Sequence, residues 1–273
     1  MCGQVFRWRE LPDGRLLGAD GDNWWLVTFV DDAFVVEGNG DSVDWGRYFR
    51  ADEDWPAHAS TVRRLAPELA PYMDVLPGLR LLRPSDAVEE TFSFLCTSNN
   101  HLSRISGMVG ALAGYGPTLA SVEGYEVHRF PTVERISDIP ESELRQKGFG
   151  YRAATIPVAA RQIVERGGKA WLDGLKETDY PQARLELLQL SGVGPKLADC
   201  ICLFALDHTE AVPVDTHVWQ AATRLYFPEL AGTSLTEKRY RQVGDHFRDK
   251  LGDLAGWAHQ FLFYENLLNW RRR

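Results

Sequence analysis

The first stretch of the chain carries the spacing of strands. Asn23 to Val30 and Ala33 to Glu37 are rich in Val, Trp and Phe, meet at Asp31-Asp32, and follow Asp-Gly turn signals at 13–14 and 20–21. An antiparallel sheet is predicted there. After Pro77-Gly78 the apolar positions recur at helical spacing, over about 86–96, 102–113, 152–166, 181–189, 196–206, 216–226, 236–250 and 254–268. Ser85 or Asp86 can cap the first of these helices, and Asp86 and Glu89 have the spacing of a capping box. The pattern predicts an α+β, mostly α fold. An N-terminal antiparallel β-sheet domain would occupy 1–80 and a helical domain 81–273, with a hairpin of helices at about 181–206. No internal repeat and no low-complexity tract is visible.

Composition adds limits. A chain of 273 residues with 44% hydrophobic and 25% charged residues is an ordinary globular one, with room for one large or two modest domains at about 150 residues each. The longest apolar run, Cys200 to Leu206, falls far short of the about 18 residues that a membrane span requires, and the start lacks the apolar core of a signal peptide. A soluble, cytoplasmic protein with no membrane partner is expected. Cys2, Cys96, Cys200 and Cys202 contain no Cys-x-x-Cys pair and are read as free thiols. With no cysteine beyond Cys202, a C-terminal four-cysteine iron-sulfur loop is not expected. The net charge of −8 argues mildly against a polyanionic partner, but its distribution is uneven. Residues 1–83 hold 9 Lys and Arg against 14 Asp and Glu, residues 84–186 hold 11 against 14, and residues 187–273 hold 10 against 10. A phosphate-facing surface is least opposed in that last third.

The chemistry concentrates there. An amphipathic helix runs into Ser191-Gly-Val-Gly-Pro195 and a second helix starts at once, the pattern of a helix-hairpin-helix. Gly192 and Gly194 permit a tight turn and close approach of a ligand, Pro195 suits a first helical position, and the unpaired amides of the second helix form an anion site fit for a DNA phosphate. A glycine-rich turn without a ligand has the same local pattern. Lys196 opens the second helix, where the positive end of the helix dipole disfavours an ammonium and favours the free amine of a nucleophile. Cys200 lies four residues on, on the same face. The rival roles are a solvated phosphate clamp for Lys196 and a small core residue for Cys200. Val212-Pro-Val-Asp215 then places Asp215 at the start of another helix, as an N-cap, as the carboxylate that stabilises an oxocarbenium-like sugar, or as both. His217 could reach a backbone phosphate or be an ordinary surface histidine.

Gly192-Val-Gly194 with Lys196, followed by Val-Pro-Val-Asp215, resembles the helix-hairpin-helix Gly/Pro-Asp superfamily of DNA glycosylases, in its 8-oxoguanine branch with a catalytic lysine. Cys2-Gly-Gln-Val-Phe-Arg-Trp8, Phe92-Ser-Phe-Leu-Cys-Thr-Ser-Asn-Asn100, Arg104-Ile-Ser-Gly-Met-Val109, Gly148-Phe-Gly-Tyr-Arg-Ala153 and Gly256-Trp-Ala-His-Gln-Phe-Leu-Phe263 look like the same family, in its order and over almost the whole chain.

The resemblance implies a division of labour. Lys196 would attack C1′ of the damaged nucleotide, form a Schiff base and permit β-elimination, with Asp215 in support. The Gly3 carbonyl would accept the N7 proton that oxidised guanine has and guanine lacks, and Cys200 and Phe263 would sandwich the flipped base. Asn99 would fill the vacated stack, Tyr151 would wedge beside the opposite base, and Arg104 and Arg152 would read the orphaned cytosine. Arg145, Lys147 and the Arg271 to Arg273 tail are further candidates for the DNA face. No redox cofactor or catalytic metal is implied, although the carbonyls of Leu188, Leu190 and Val193 could hold a structural monovalent cation. The partner would be double-stranded DNA containing oxidised guanine, and the enzyme a monomer.

The chain departs from the family at two places. His259, followed by Gln260, stands where the family has Gln, so either His259 contacts the pairing edge of the base or that contact is lost. Gly3 lies two residues from the start of the chain, so its neighbours must tie it down. Two other functions share parts of the pattern: a monofunctional glycosylase for alkylated bases using Asp215 and water, and a non-catalytic helix-hairpin-helix DNA-binding module.

Overall fold

The computed structural model describes residues 3–31, 33–40 and 42–271, with side chains at all of these except 42, 43 and 265–271. Cys2, the Arg271 side chain, Arg272 and Arg273 therefore lie outside the described residues. Strands β1 (Arg9–Glu10), β2 (Leu16–Asp20), β3 (Asn23–Val30) and β4 (Ala33–Gly38) form an antiparallel sheet in sequence order. Its register sets Leu17 against Leu26 and Val27 against Val36. The apolar run Trp24 to Val27 in β3 has a physical cause, cover on both faces at that end of the sheet, whereas Phe29 and Val30 beyond Thr28 are exposed. Trp25 and Val27 pack with Tyr48 from α1 (Ser42–Tyr48), while Leu26 packs with Leu17 and Ala19 on the other face.

Helices α2 (Trp55–Leu65) and α3 (Ala70–Val75) follow, then α4 (Ala87–Leu95) and α5 (Leu102–Ala113). A second hairpin, β5 (Thr118–Val122) and β6 (Tyr125–His128), closes over the sheet, with Val127 in the cluster of Leu17 and Leu26. Next come α6 (Val133–Ser137), α7 (Glu141–Gln146), α8 (Arg152–Arg166), α9 (Lys169–Gly174), α10 (Tyr180–Leu187), α11 (Pro195–Ala205), α12 (Thr216–Leu225), α13 (Glu237–Leu251) and α14 (Ala255–Arg271). Among the described residues no helix is long and apolar enough to cross a membrane.

The larger core centres on α4, all nine residues of which are buried. Phe94 stacks on Phe204 of α11 at 5.2 Å between centroids and meets Phe6 edge-on at 5.7 Å. Fully burying a side chain such as Phe92 contributes roughly 2–3 kcal/mol. A second core joins Val62, Leu69 and Met73 to Val218, Phe247 and Phe261. The packing therefore does not divide at residue 80 as the sequence suggested: α2 and α3 precede that point but share a core with the C-terminal helices.

The N-terminal segment is anchored by polar side chains. Gln4 is buried, donates through Nε2 to the Arg80 carbonyl at 2.8 Å and accepts through Oε1 from Leu82 N at 2.8 Å. Arg7 grips Glu89 of α4 with two bonds of 2.6 Å. That grip corrects the expected capping box: Asp86 does cap α4, accepting from Val88 N at 3.0 Å, but the Glu89 carboxylate is committed to Arg7. Around this one guanidinium, burial pushes Asp20 up to about 6 and Glu90 well above the ordinary carboxylate range, and Glu90 Oε2 has no hydrogen-bond partner among the described residues.

Glu90 is thus a buried acid that folding favours in its protonated form. Its share of stability is present below the carboxylate value of the unfolded chain and is lost as pH rises through its elevated folded value. Glu90→Gln should leave the melting temperature unchanged near pH 5 and raise it near pH 8.5, read by calorimetry. Glu89→Gln, which leaves Arg7 without its carboxylate partner, should cost about 3 kcal/mol.

Candidate active site

The hairpin is built from α10, α11 and the turn between them. Asp179 caps α10, accepting from Gln182 N at 2.8 Å. Gly192 turns the chain at φ +81°, and a Cβ there would meet Thr155 Cβ at 3.2 Å and Leu95 Cδ2 at 3.4 Å, so a side chain would be strained by conformation and would crowd both neighbours. Gly194 differs: its backbone is extended at φ −100°, ψ −179°, and nothing lies within 4 Å of the Cβ it lacks. It does not make the turn; it leaves the start of α11 open. No side chain caps that start, and Pro195 occupies its first turn. Gln162 of α8, which the sequence gave no reason to single out, braces the turn by accepting from Ser191 N at 2.7 Å and donating to the Gln189 carbonyl at 3.4 Å. Leu188, Leu190 and Val193 all fall in this turn, and the Leu190 carbonyl accepts from Val193 N at 3.1 Å.

Beside α11 lies a cavity of about 170 Å³. Lys196, Cys200, Asp215, His217, Gly3 and Phe263 all line it, brought together from α11, α12, the N-terminal segment and α14. Lys196 is half-buried and hydrogen-bonds Cys200, whose thiol burial pushes up to about 11. That thiol is neutral and packs as a small apolar residue beside the amine. Asp215 caps α12, accepting from Val218 N at 2.8 Å through Oδ1. The cap occupies one oxygen of this half-buried carboxylate and leaves the other for a further partner. Gly3 adopts φ +75°, and a Cβ there would meet the Phe263 ring at 3.4 Å. Phe263 also meets His217 edge-on at 5.8 Å.

His259 and Gln260 line the cavity but are buried at 4% and 2% exposure. Gln260 Nε2 lies 3.0 Å from His259 Nδ1, and the His259 ring hydrogen-bonds the Pro213 backbone. Burial holds the ring well below the usual histidine range, at about 4, so it is neutral and carries one N–H. Donating that proton to the Pro213 carbonyl leaves Nδ1 to accept from Gln260. His259 is therefore engaged by protein on both sides, which favours the second of the two alternatives drawn from the sequence, loss of its contact to the pairing edge.

A group of residues apart from the cavity forms a second cluster. Asn99 is exposed in the left-handed region at φ +48°, and Tyr151 is 55% exposed with its hydroxyl donating to the Ser98 carbonyl at 3.1 Å. Arg104 is exposed and donates to the Gly148 carbonyl at 3.0 Å. Arg152 stands differently from the expected reader of a base: it is 3% exposed, its guanidinium donates to the Ser98 carbonyl and lies 4.5 Å from the Tyr151 ring centroid. It supports the segment carrying Asn99. Arg145 pairs with Glu141, and Lys147 lies 5.3 Å from the Tyr115 ring. Among the described residues no group of three His, Cys, Asp or Glu side chains is placed to hold a metal ion.

A glycine hairpin between two helices, with a lysine opening the second and an aspartate across a cavity, defines a class. Residues 92–245 match the family model of the HhH-GPD superfamily of base excision DNA repair proteins, and the chain belongs to that superfamily. It is 45% identical over 194 residues to the N-glycosylase/DNA lyase OGG1 of Arabidopsis thaliana, a match covering 70% of this chain and 53% of that protein. With the N-glycosylase/DNA lyase of Saccharomyces cerevisiae it shares 32% identity over 255 residues, covering 81% and 65%. The chain thus spans between half and two thirds of these relatives. Its structure is similar to that of the Clostridium acetobutylicum 8-oxoguanine glycosylase/lyase in complex with double-stranded DNA containing cytosine opposite 8-oxoguanine, with a TM-score of 0.86 and 28% identity, covering 98% of this chain and 90% of that one.

The two glycines should separate in the laboratory. Gly192→Ala should cost about 1–2 kcal/mol in urea unfolding, while Gly194→Ala should change stability by less than about 0.5 kcal/mol.

Proposed function

We propose that the chain is a bifunctional DNA glycosylase/lyase that excises 8-oxoguanine from duplex DNA, with Lys196 as nucleophile. The observation that carries this reading is the cavity in which Lys196 and Asp215 meet Gly3, Cys200 and Phe263. The names of its relatives support the activity, an N-glycosylase/DNA lyase in two of them, and the third, a complex with 8-oxoguanine DNA, supports the substrate.

In this mechanism the damaged nucleotide leaves the stack and enters the cavity. The amine of Lys196 forms a bond to C1′ as the bond from C1′ to the base breaks, and the base departs with the electron pair and takes up a proton. The Asp215 carboxylate stabilises the positive charge on the sugar as that exchange proceeds. Opening of the sugar gives a Schiff base, and loss of the C2′ proton then expels the 3′ phosphate by β-elimination. The Gly3 carbonyl would select the N7–H of the oxidised base. Cys200, neutral and buried, would lie against one face of the base and Phe263 against the other.

Asn99, Tyr151 and Arg104, exposed together beside α8, would meet the gap and the opposite strand. Arg152 would join them only by exchanging its contact with Ser98. The open start of α11 at Gly194 would take a phosphate. The partner is double-stranded DNA and the acting form a monomer. The chemistry uses no redox cofactor or catalytic metal, and a monovalent cation on the Leu188, Leu190 and Val193 carbonyls would serve only to stiffen the turn.

Borohydride reduction in the presence of 8-oxoguanine duplex should give a covalent protein–DNA adduct, and Lys196→Gln should abolish it. Base release without an adduct would point to water as nucleophile, and binding without release to a non-catalytic module; either result overturns the proposal. Single-turnover excision should be fastest opposite cytosine, and Arg104→Ala should level the preference by about tenfold or more; equal rates opposite all four bases in the wild type would remove Arg104 as the reader.

A further inference from the structure

Behind the face of α11 that carries Lys196 and Cys200 sits Asp199, 1% exposed. The mechanism gives it no part, yet three donors converge on it. Tyr180 Oη and Arg184 Nε, both from α10, donate to Oδ1 at 2.8 and 2.7 Å, and the Tyr240 hydroxyl of α13 donates to Oδ2. Arg248 adds a bond to the Tyr180 hydroxyl at 3.3 Å. The Tyr240 hydroxyl has a second partner: it accepts from the backbone N of Val214 at 3.3 Å, in a buried contact. Val214 is the residue immediately before Asp215.

The segment Pro213 to Asp215 is therefore held by side chains on both of its flanks: Tyr240 takes the Val214 amide, and the His259 ring hydrogen-bonds the Pro213 backbone. Asp215 itself adds the cap on α12. We propose that Asp199 and Tyr240 are positioning residues that fix this segment against α11, so that the Asp215 carboxylate faces the amine of Lys196. The proposal rests on the roles given to Lys196 and Asp215 above. Neither positioning residue touches the cavity: Asp199 orients the Tyr240 hydroxyl, the hydroxyl fixes the Val214 amide, and the amide sets the backbone from which the carboxylate projects. Tyr240 is a good candidate for this task, because one hydroxyl both donates to a carboxylate and accepts from an amide, joining α11 to a segment that follows it in sequence.

Tyr240→Phe keeps the ring that packs in the second core and removes only the hydroxyl. The expected result is a single-turnover excision rate about tenfold lower, with affinity for a duplex carrying a stable abasic-site analogue within about twofold of wild type, since misplacement of a reacting group lowers the chemical step rather than binding. Asp199→Asn should act in the same direction, and the double variant should be no worse than the more severe single variant. Val243→Ala, a buried substitution on the same helix with no polar contact to the segment, serves as the control for stability loss and should keep its excision rate. Amide hydrogen exchange provides a readout independent of activity: the Val214 amide should exchange at least about tenfold faster in Tyr240→Phe than in wild type, and not in Val243→Ala. Wild-type excision by Tyr240→Phe overturns the proposal, and so does wild-type exchange at Val214. If the unmodified protein itself releases no base, the proposed function fails separately, and the Val214 exchange alone decides whether Tyr240 fixes the segment.

Discussion

The structure depends on a helix with no solvent face. Because every residue of α4 is buried, everything around it is positioned by contact with one rigid body. Phe94 meets α11 through Phe204 and the N-terminal segment through Phe6, so the element bearing Lys196 and the segment bearing Gly3 share a single reference. The polar half of the same function is the Arg7 to Glu89 pair, which fastens the N-terminal segment to α4 across 82 positions of sequence. A buried bidentate pair of this kind adds little net stability, but it discriminates sharply against other dockings, because any misregister strands two charges in the core. The cavity inherits its shape from that discrimination.

Much of the site was legible because its signals are local. Gly192, Pro195 and Lys196 act within one turn, and Asp215 caps the helix it begins, so backbone requirements alone nominate them. What was illegible depends on partners far away in sequence. Glu89 has the spacing of a capping residue but is taken by Arg7, and for His259 the sequence left a ligand contact open while its proton goes to a loop that precedes it by many residues. The second hairpin escaped notice because its turn, Glu123-Gly124, lacks the Asn or Asp that usually marks the left-handed position, although both residues adopt it at φ +52° and +80°. The short helices α2 and α3 bury few residues each, and only the packing against Phe247 and Phe261 shows which core they serve.

The acidic balance takes on a different meaning in three dimensions. Asp20, Glu89, Glu90 and Asp199 count toward the net charge of −8 but are buried. The Glu89–Arg7 and Asp199–Arg184 pairs already cancel within that total, so it is the buried Glu90, which burial favours in its neutral form, that lowers the effective acid excess. Most of the acid excess therefore lies on the surface, and a polyanion would have to be met by a locally basic face rather than by the overall balance.

The cavity follows the same economy of charge. Among the described residues that line it, Asp215 is the sole carboxylate and Lys196 the sole Lys or Arg, while burial holds two further ionisable neighbours neutral, Cys200 at about 11 and His259 at about 4. An anionic thiolate at position 200 would attract the amine away from the sugar, and an imidazolium at 259 would oppose the positive charge that the proposed reaction develops. With both excluded, the Asp215 carboxylate is the one negative side chain at the described cavity wall, in partly desolvated surroundings where its effect is larger than in water. Such a design tolerates little error in where that carboxylate sits. That intolerance gives a physical reason for the Asp215 segment to be held by Tyr240, by His259 and by its own cap, when the cap alone would suffice to start a helix.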